Sequence, residues 1–257
     1  MGTKPNINKI TGRILQNLSK LTSDRAFHLQ SQMDIHPKSR YYNLRFIEKT
    51  GGFFILNDTV KREIVSFSTP WDLVRRDMLI LILKDILVNQ VMGDLVELGV
   101  YKGFTAKLIH FYVPERKLFL FDTYGGFDKD DVNAERIRTG HSIKSHFKSA
   151  GAGDVISYIK PKNDNIVPVE GVFPASIPEN FSGKKFSFIH IDMDLFEPTL
   201  AALDYFYPKI SKGGYLIIHD YNTWSGAHDA VDQFFRDKAE SPVPMPDKNG
   251  SALIKKL

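Results

Sequence analysis

The chain has 257 residues, 42% of them hydrophobic, and carries a net charge of +4 from 34 basic and 30 acidic side chains. That length supplies the core of one α/β domain with an appendage, and the absence of cysteine excludes disulfides, zinc–thiolate centres and thiol nucleophiles. The lysines are scattered, and no arginine-rich or aromatic–basic run indicates a nucleic-acid partner.

No apolar run reaches the roughly 18 residues of a membrane span. The opening residues MGTKPNINKI are polar, unlike a signal peptide. A cytoplasmic protein without a membrane partner is expected.

Residues 1–68 read as an extension. Ile10, Ile14, Leu15, Leu18 and Leu21 give a weak helical period up to about residue 40. A lid, a dimer arm and a packed cap all suit it. Tyr41, Tyr42, Phe46, Phe53 and Phe54 then flank a glycine pair, a candidate interface for a homo-oligomer. The main domain is expected over 69–257. Ser68-Thr69-Pro70 predicts a helix start with Pro70 at the first position. The helix continues through WDLVRRDMLILILKDILVNQV, apolar on more than one face and so buried.

GDLVELGVYKG, from Gly93 to Gly103, is a short apolar strand running into a glycine turn, and FTAKLIHFY is a helix leaving it. This is the opening unit of a doubly wound sheet, where the backbone comes close to a ligand at a helix N-terminus. Tyr101 stands where the dinucleotide fingerprint needs glycine. Glu97 before the turn suits a ligand with an ammonium group and a ribose, as S-adenosylmethionine has. Asp122 ends the next strand, KLFLFD, at the spacing of a ribose-binding acid. Gly99, Tyr101, Gly103 and Thr105 in the turn, with Thr123 after Asp122, complete the candidate cofactor set.

The segment TYGGFDKDDVNAERIRTGHS reads as a polar active-site loop ending at His141. SIKSHFKSAGAGDVISYI reads helix, glycine stop, strand, and VEGVFPASIPENF a strand end and loop. KKFSFIHID is a strand and PTLAALDYFYPKI a helix with Pro198 in its first turn. Residues 211–214 form a turn, YLIIHDY a strand, AHDAVDQFFRDKA a helix, and SALIKKL a last strand. The alternation predicts a mostly parallel, Rossmann-like sheet with helices on both faces.

Ligands bind outside the carboxyl ends of such strands. Four ends carry acids here: Glu97, Asp122, the pair Asp192 and Asp194, and Asp220. Carboxylates on one rim repel, and a cation resolves that. Asp192 and Asp220 are expected to hold a divalent metal. If the chain bends at Met193, Asp192 and Asp194 divide the roles of metal ligand and proton acceptor. His219 reads either as a packed histidine or as part of this cluster. His190 shares the face of Asp192 by alternation.

HIDMDLFEPTLAALDYFYPKISKGGYLIIHDY and GAHDAVDQFF, with the three motifs GDLVELGVYKG, FDTYGGF and VEGVFPASIP, resemble the macrocin O-methyltransferase family from about Thr69 to Arg236. The resemblance implies a class I methyltransferase fold and metal-assisted transfer from S-adenosylmethionine to a hydroxyl, most simply of a sugar in a natural product or glycan. It places Glu97 and Gly99 at the cofactor turn, Asp122 at the ribose acid, Asp192 and Asp220 at metal aspartates, and Asp194 at the general base. His141 and His219 are alternative proton acceptors. His219 replaces the first of two adjacent metal aspartates. Since imidazole suits manganese or softer ions and magnesium prefers oxygen, the ion is left open between Mg2+ and Mn2+. A phenol, amine or RNA acceptor, or a non-catalytic binding role, are the rival readings.

Overall fold

In the computed structural model, the structure describes residues 72–143, 147–149, 151–161 and 164–257. The expected extension over 1–68, the aromatic stretch 41–56 and the Ser68-Thr69-Pro70 helix start lie outside them.

Seven strands form one sheet in the order β3-β2-β1-β4-β5-β7-β6. They are β1 (Asp94–Leu98), β2 (Leu118–Asp122), β3 (Ile166–Glu170), β4 (Phe186–Ile191), β5 (Ile210–Ile218), β6 (Val243–Pro244) and β7 (Ala252–Lys255). The first five run parallel, and β7 and β6 are antiparallel additions at one edge. β4 is buried at every position, as a central parallel strand must be.

Among the described residues the helices are α1 (Leu73–Val88), α2 (Phe104–Tyr112), α3 (Lys129–Thr139), α4 (Ala152–Ile159), α5 (Phe196–Phe206) and α6 (Ser225–Phe235). Helices α1, α2 and α4 pack as one group, and α3, α5 and α6 as another. Strand alternation serves both layers. Val96, Leu98, Phe119, Phe121, Phe186 and Ile189 join the core under α5 and α6, where Phe121 meets Phe181 and Phe206 edge-on. Among the described residues, no helix is long and apolar enough to cross a membrane.

Several expectations are corrected. Helix α1 starts at Leu73, because the Asp72 carboxylate accepts from Arg75 N at 3.0 Å and caps it there. Its burial is partial: Leu79, Ile80, Leu83 and Ile86 are buried, while Val74, Leu81, Leu87 and Val88 are exposed. The polar loop after β2 contains α3. Asp128 caps it, and the buried Glu135 anchors it, pairing with Arg138 and accepting from Phe196 N at 3.0 Å. The run DVISYI is helical, since Val155 and Ile159, four apart, are both buried. The expected turn at 211–214 lies inside β5, absorbed as a register shift against β4.

Candidate active site

Three backbone bonds extend the ladder past the strand ends. Gly99 N donates to Phe121 O at 2.9 Å, Asp192 N to Leu98 O at 2.8 Å and His219 N to Ile191 O at 2.8 Å. Gly99, Asp192 and His219 therefore stand side by side on the carboxyl rim of β1, β4 and β5. Beyond the rim the chain turns sharply. Tyr101, Tyr124, Asp194 and Asp220 all have positive φ, from 51° to 63°. Each follows one of the strands β1, β2, β4 and β5. Such backbone strain clusters where a ligand is clamped.

Two cavities meet here, sharing Gly99, Tyr101 and Asp192. The larger, about 350 Å³, is also lined by Asp122, Thr123, Phe173, Asp194, His219 and Asp220. The smaller, about 150 Å³, lies toward α1 and is lined by Arg75, Glu97, Phe104 and Thr105.

In the smaller cavity, Arg75 Nη2 reaches Asp192 Oδ2 at 3.1 Å, His190 Nε2 at 3.1 Å and Thr105 Oγ1 at 3.4 Å. Burial, with Arg75 nearby, holds His190 well below the usual imidazole range, so it is neutral. Arginine only donates, so His190 Nε2 accepts and Nδ1 carries the proton. That nitrogen lies 3.2 Å from Glu97 Oε1. Burial and the Asp192 charge push Glu97 well above the ordinary carboxylate range. Its Oε2 is buried without a hydrogen-bond partner.

In the larger cavity, Asp122 accepts from Val100 N at 2.7 Å, Tyr101 N at 2.8 Å and Tyr124 N at 2.6 Å. It ties the glycine turn to the end of β2. The chain does bend after Asp192. Burial alone would raise the Asp192 pKa, but His219 and Arg75 override it and hold the carboxyl below the usual range. Asp194 is the opposite case. Burial, then the charges of Asp192 and Asp220, push it well above that range. Its Oδ1 is buried without a hydrogen-bond partner.

His219 Nδ1 lies 2.9 Å from Asp192 Oδ1 and 3.2 Å from Asp220 Oδ1. The three residues offer ligand atoms within 4.8 Å of one another. Two ligands about 2.1 Å from one octahedral ion at right angles stand about 3 Å apart, so the donor set fits a divalent cation.

The structure brings together Glu97, Gly99, Tyr101, Thr105, Asp122, Thr123, Asp192, Asp194, His219 and Asp220. Gly103 takes positive φ as the N-cap of α2, framing the turn. His141 is exposed beyond the C-cap of α3 and lines neither cavity. Sequence reading missed Arg75, Asp131 and Trp224. Arg75 left a signal, one of three adjacent charges (Arg75, Arg76 and Asp77) at the start of a helix whose next six residues are apolar.

A mostly parallel sheet with a glycine turn after β1, an acid ending β2 and acids just past the ends of β4 and β5 defines a class I methyltransferase domain. A model of the macrocin-O-methyltransferase (TylF) family matches residues 73–253, and the chain belongs to that family. It is 26% identical over 163 residues to the demethyldecarbamoylnovobiocin O-methyltransferase of Streptomyces niveus, a match covering 59% of this chain and 61% of that protein. It is 25% identical over 194 residues to the 8-demethyl-8-(2,3-dimethoxy-alpha-L-rhamnosyl)-tetracenomycin-C 4'-O-methyltransferase of Streptomyces olivaceus, covering 71% and 72%. Among solved structures, the O-methyltransferase NovP superposes with a TM-score of 0.61 at 24% identity, over 71% of this chain and 79% of that one. The calicheamicin methyltransferase CalS11 gives 0.57 at 18%, over 99% and 94%. These structural likenesses establish the fold.

Proposed function

We propose that this protein methylates a hydroxyl of a sugar in a natural product or glycan, using S-adenosylmethionine. The observation that carries this reading is the convergence on one rim of a glycine turn, the turn-binding acid Asp122 and the buried Asp194 carboxyl, whose Oδ1 has no hydrogen-bond partner. The catalytic domain is read as beginning near residue 69, preceded by an extension.

Glu97, Gly99, Tyr101, Gly103, Thr105, Asp122 and Thr123 would hold the cofactor. Glu97 suits its ammonium group and Asp122 its ribose hydroxyls. When bound, the cofactor supplies an electrophilic methyl group on a sulfonium. The protein's part is to place an acceptor oxygen in line and remove its proton. Asp194 takes that proton.

Calorimetric titration with S-adenosylhomocysteine tests the cofactor assignment. The unmutated protein is expected to bind, and Asp122→Ala to weaken binding at least tenfold, since the variant loses both the ribose contact and the anchor of Val100 N and Tyr101 N. Failure of the unmutated protein to bind would remove the central assignment.

Asp192, His219 and Asp220 would hold a divalent metal, which lowers the pKa of a bound hydroxyl. An imidazole in place of a carboxylate removes one negative charge and favours manganese over magnesium. Calorimetric binding is expected to be tighter for Mn2+ than for Mg2+, and His219→Asp to raise Mg2+ affinity about tenfold. Equal Mg2+ affinity in the two proteins would exclude His219 as a ligand.

A further inference from the structure

His219 has a second face. Its Nδ1 lies toward Asp192 and Asp220, the other donors of the proposed cation site. The opposite ring nitrogen, Nε2, is buried without a hydrogen-bond partner among the described residues, in a residue only 7% exposed. A buried polar atom left in that state is costly, so it calls for an explanation.

Two further carboxylates stand close by. Asp72 and Asp247 each offer an oxygen that, with a ring nitrogen of His219, forms a group no wider than 4.8 Å. Both acids are buried. They come from opposite ends of the described chain: Asp72 caps α1, and Asp247 lies in the loop between β6 and β7. That loop is fixed at several points. Asp247 accepts from Ser251 N at 2.6 Å and from Ser251 Oγ at 2.7 Å. Asn222 N donates to Gly250 O at 3.1 Å, and Thr223 Oγ1 to Asn249 O at 2.6 Å. These bonds tie the loop to the residues just after Asp220. The loop also brings Asn249 into the larger cavity, where its side chain favours the charged form of Asp220.

Neutral imidazole carries one proton. When Nδ1 gives its lone pair to a metal ion, that proton sits on Nε2. A metal-ligating histidine normally donates its other N–H to a carboxylate or carbonyl, which fixes the ring and raises its basicity. Asp72 and Asp247 have oxygens within 4.8 Å of each other, and two carboxylates so close repel. An N–H aimed between them offsets that repulsion.

We infer that Asp72 and Asp247 are positioning residues for His219: they accept its Nε2 proton, directly or through one water, and so hold Nδ1 toward the cation. This rests on the proposed metal role of His219. An aspartate at position 219 would have no proton to give, so the pair serves only the histidine form of the site. The β6–β7 loop thereby becomes part of the metal centre.

The test uses the full chain and a double-mutant cycle. Asp72→Asn with Asp247→Asn removes the two charges while keeping the caps, because asparagine also caps helices and its amide can still bond Ser251. Mn2+ affinity, read by calorimetry, is expected to fall at least tenfold, the lower end of the range for such partners. In the His219→Asp background the same pair of substitutions is expected to cost less than about threefold, the part that is long-range charge alone. Asp247→Asn by itself is expected to leave S-adenosylhomocysteine affinity unchanged, since Asp247 lines neither cavity. A second measurement needs no variant at these positions. Long-range 1H–15N NMR of the unmutated protein, saturated with diamagnetic Mg2+ and with His219 assigned from its loss in His219→Asp, is expected to show the proton on Nε2. Equal losses of Mn2+ affinity in the two backgrounds, or a proton on Nδ1 with the ion bound, would overturn the inference and leave the metal site standing. No ion binding, or an ion affinity indifferent to His219→Asp, would overturn both.

Discussion

Asp194→Asn is expected to lower turnover by about 10²- to 10⁴-fold, the range for loss of a positioned proton acceptor, while S-adenosylhomocysteine binds as before. Asparagine keeps the shape of the side chain and tolerates the left-handed φ of 63° at this position. Alanine would add backbone strain and confuse the result. The same substitution is expected to stabilise the unliganded protein. Asp194 is 6% exposed, crowded by Asp192 and Asp220, with Oδ1 unpartnered. Replacing that carboxyl by a neutral amide removes the repulsion, worth about 1 kcal/mol. A fall in turnover with a rise in melting temperature is the signature of a group held in place for chemistry. Wild-type turnover would take the role from Asp194, and a fall in both would mark it as structural.

Gly99→Ala is expected to abolish cofactor binding and to destabilise the fold by about 3 kcal/mol, combining overpacking with a left-handed alanine. Gly99 has φ +81°, and a Cβ there would stand 1.9 Å from Asp192 O and 2.6 Å from Asp192 C. Both atoms are backbone, so no side chain can turn away. The turn after β1 and the end of β4 would have to separate. That would break the Asp192 N to Leu98 O bond. It would also move Asp192 away from Arg75 and His219. Chemical denaturation and calorimetry check the two halves. Normal stability together with normal S-adenosylhomocysteine affinity would show that the close approach is not needed.

The two variants probe opposite features of one rim. Asp194 is held where the fold does not favour a carboxyl, whereas Gly99 is present because nothing larger fits. Arg75 links the two cavities. Its guanidinium meets Asp192, which lines both cavities, together with His190 and Thr105, so one cation offsets the Asp192 charge where the cavities meet.

Much of this was written in local sequence. Short apolar runs located β1, β2, β4, β5 and β7. Helical periods located α2, α5 and α6, because each element has one partner layer and its pattern matches its own period. The strand-end acids were legible for the same reason: once a strand is placed, its last residue lies on the carboxyl rim. What sequence could not decide were elements whose identity comes from a distant partner. DVISYI has the β-branched residues of a strand, yet it packs as a helix beside α2. The polar α3 is held by Glu135 reaching the start of α5. The Arg75–His190–Asp192 cluster joins positions 115 and 117 residues apart. No local period records such a pairing. It forms only when sheet register and helix docking bring those side chains into one dry space, and there burial and neighbouring charge, rather than residue type, set which group carries the proton.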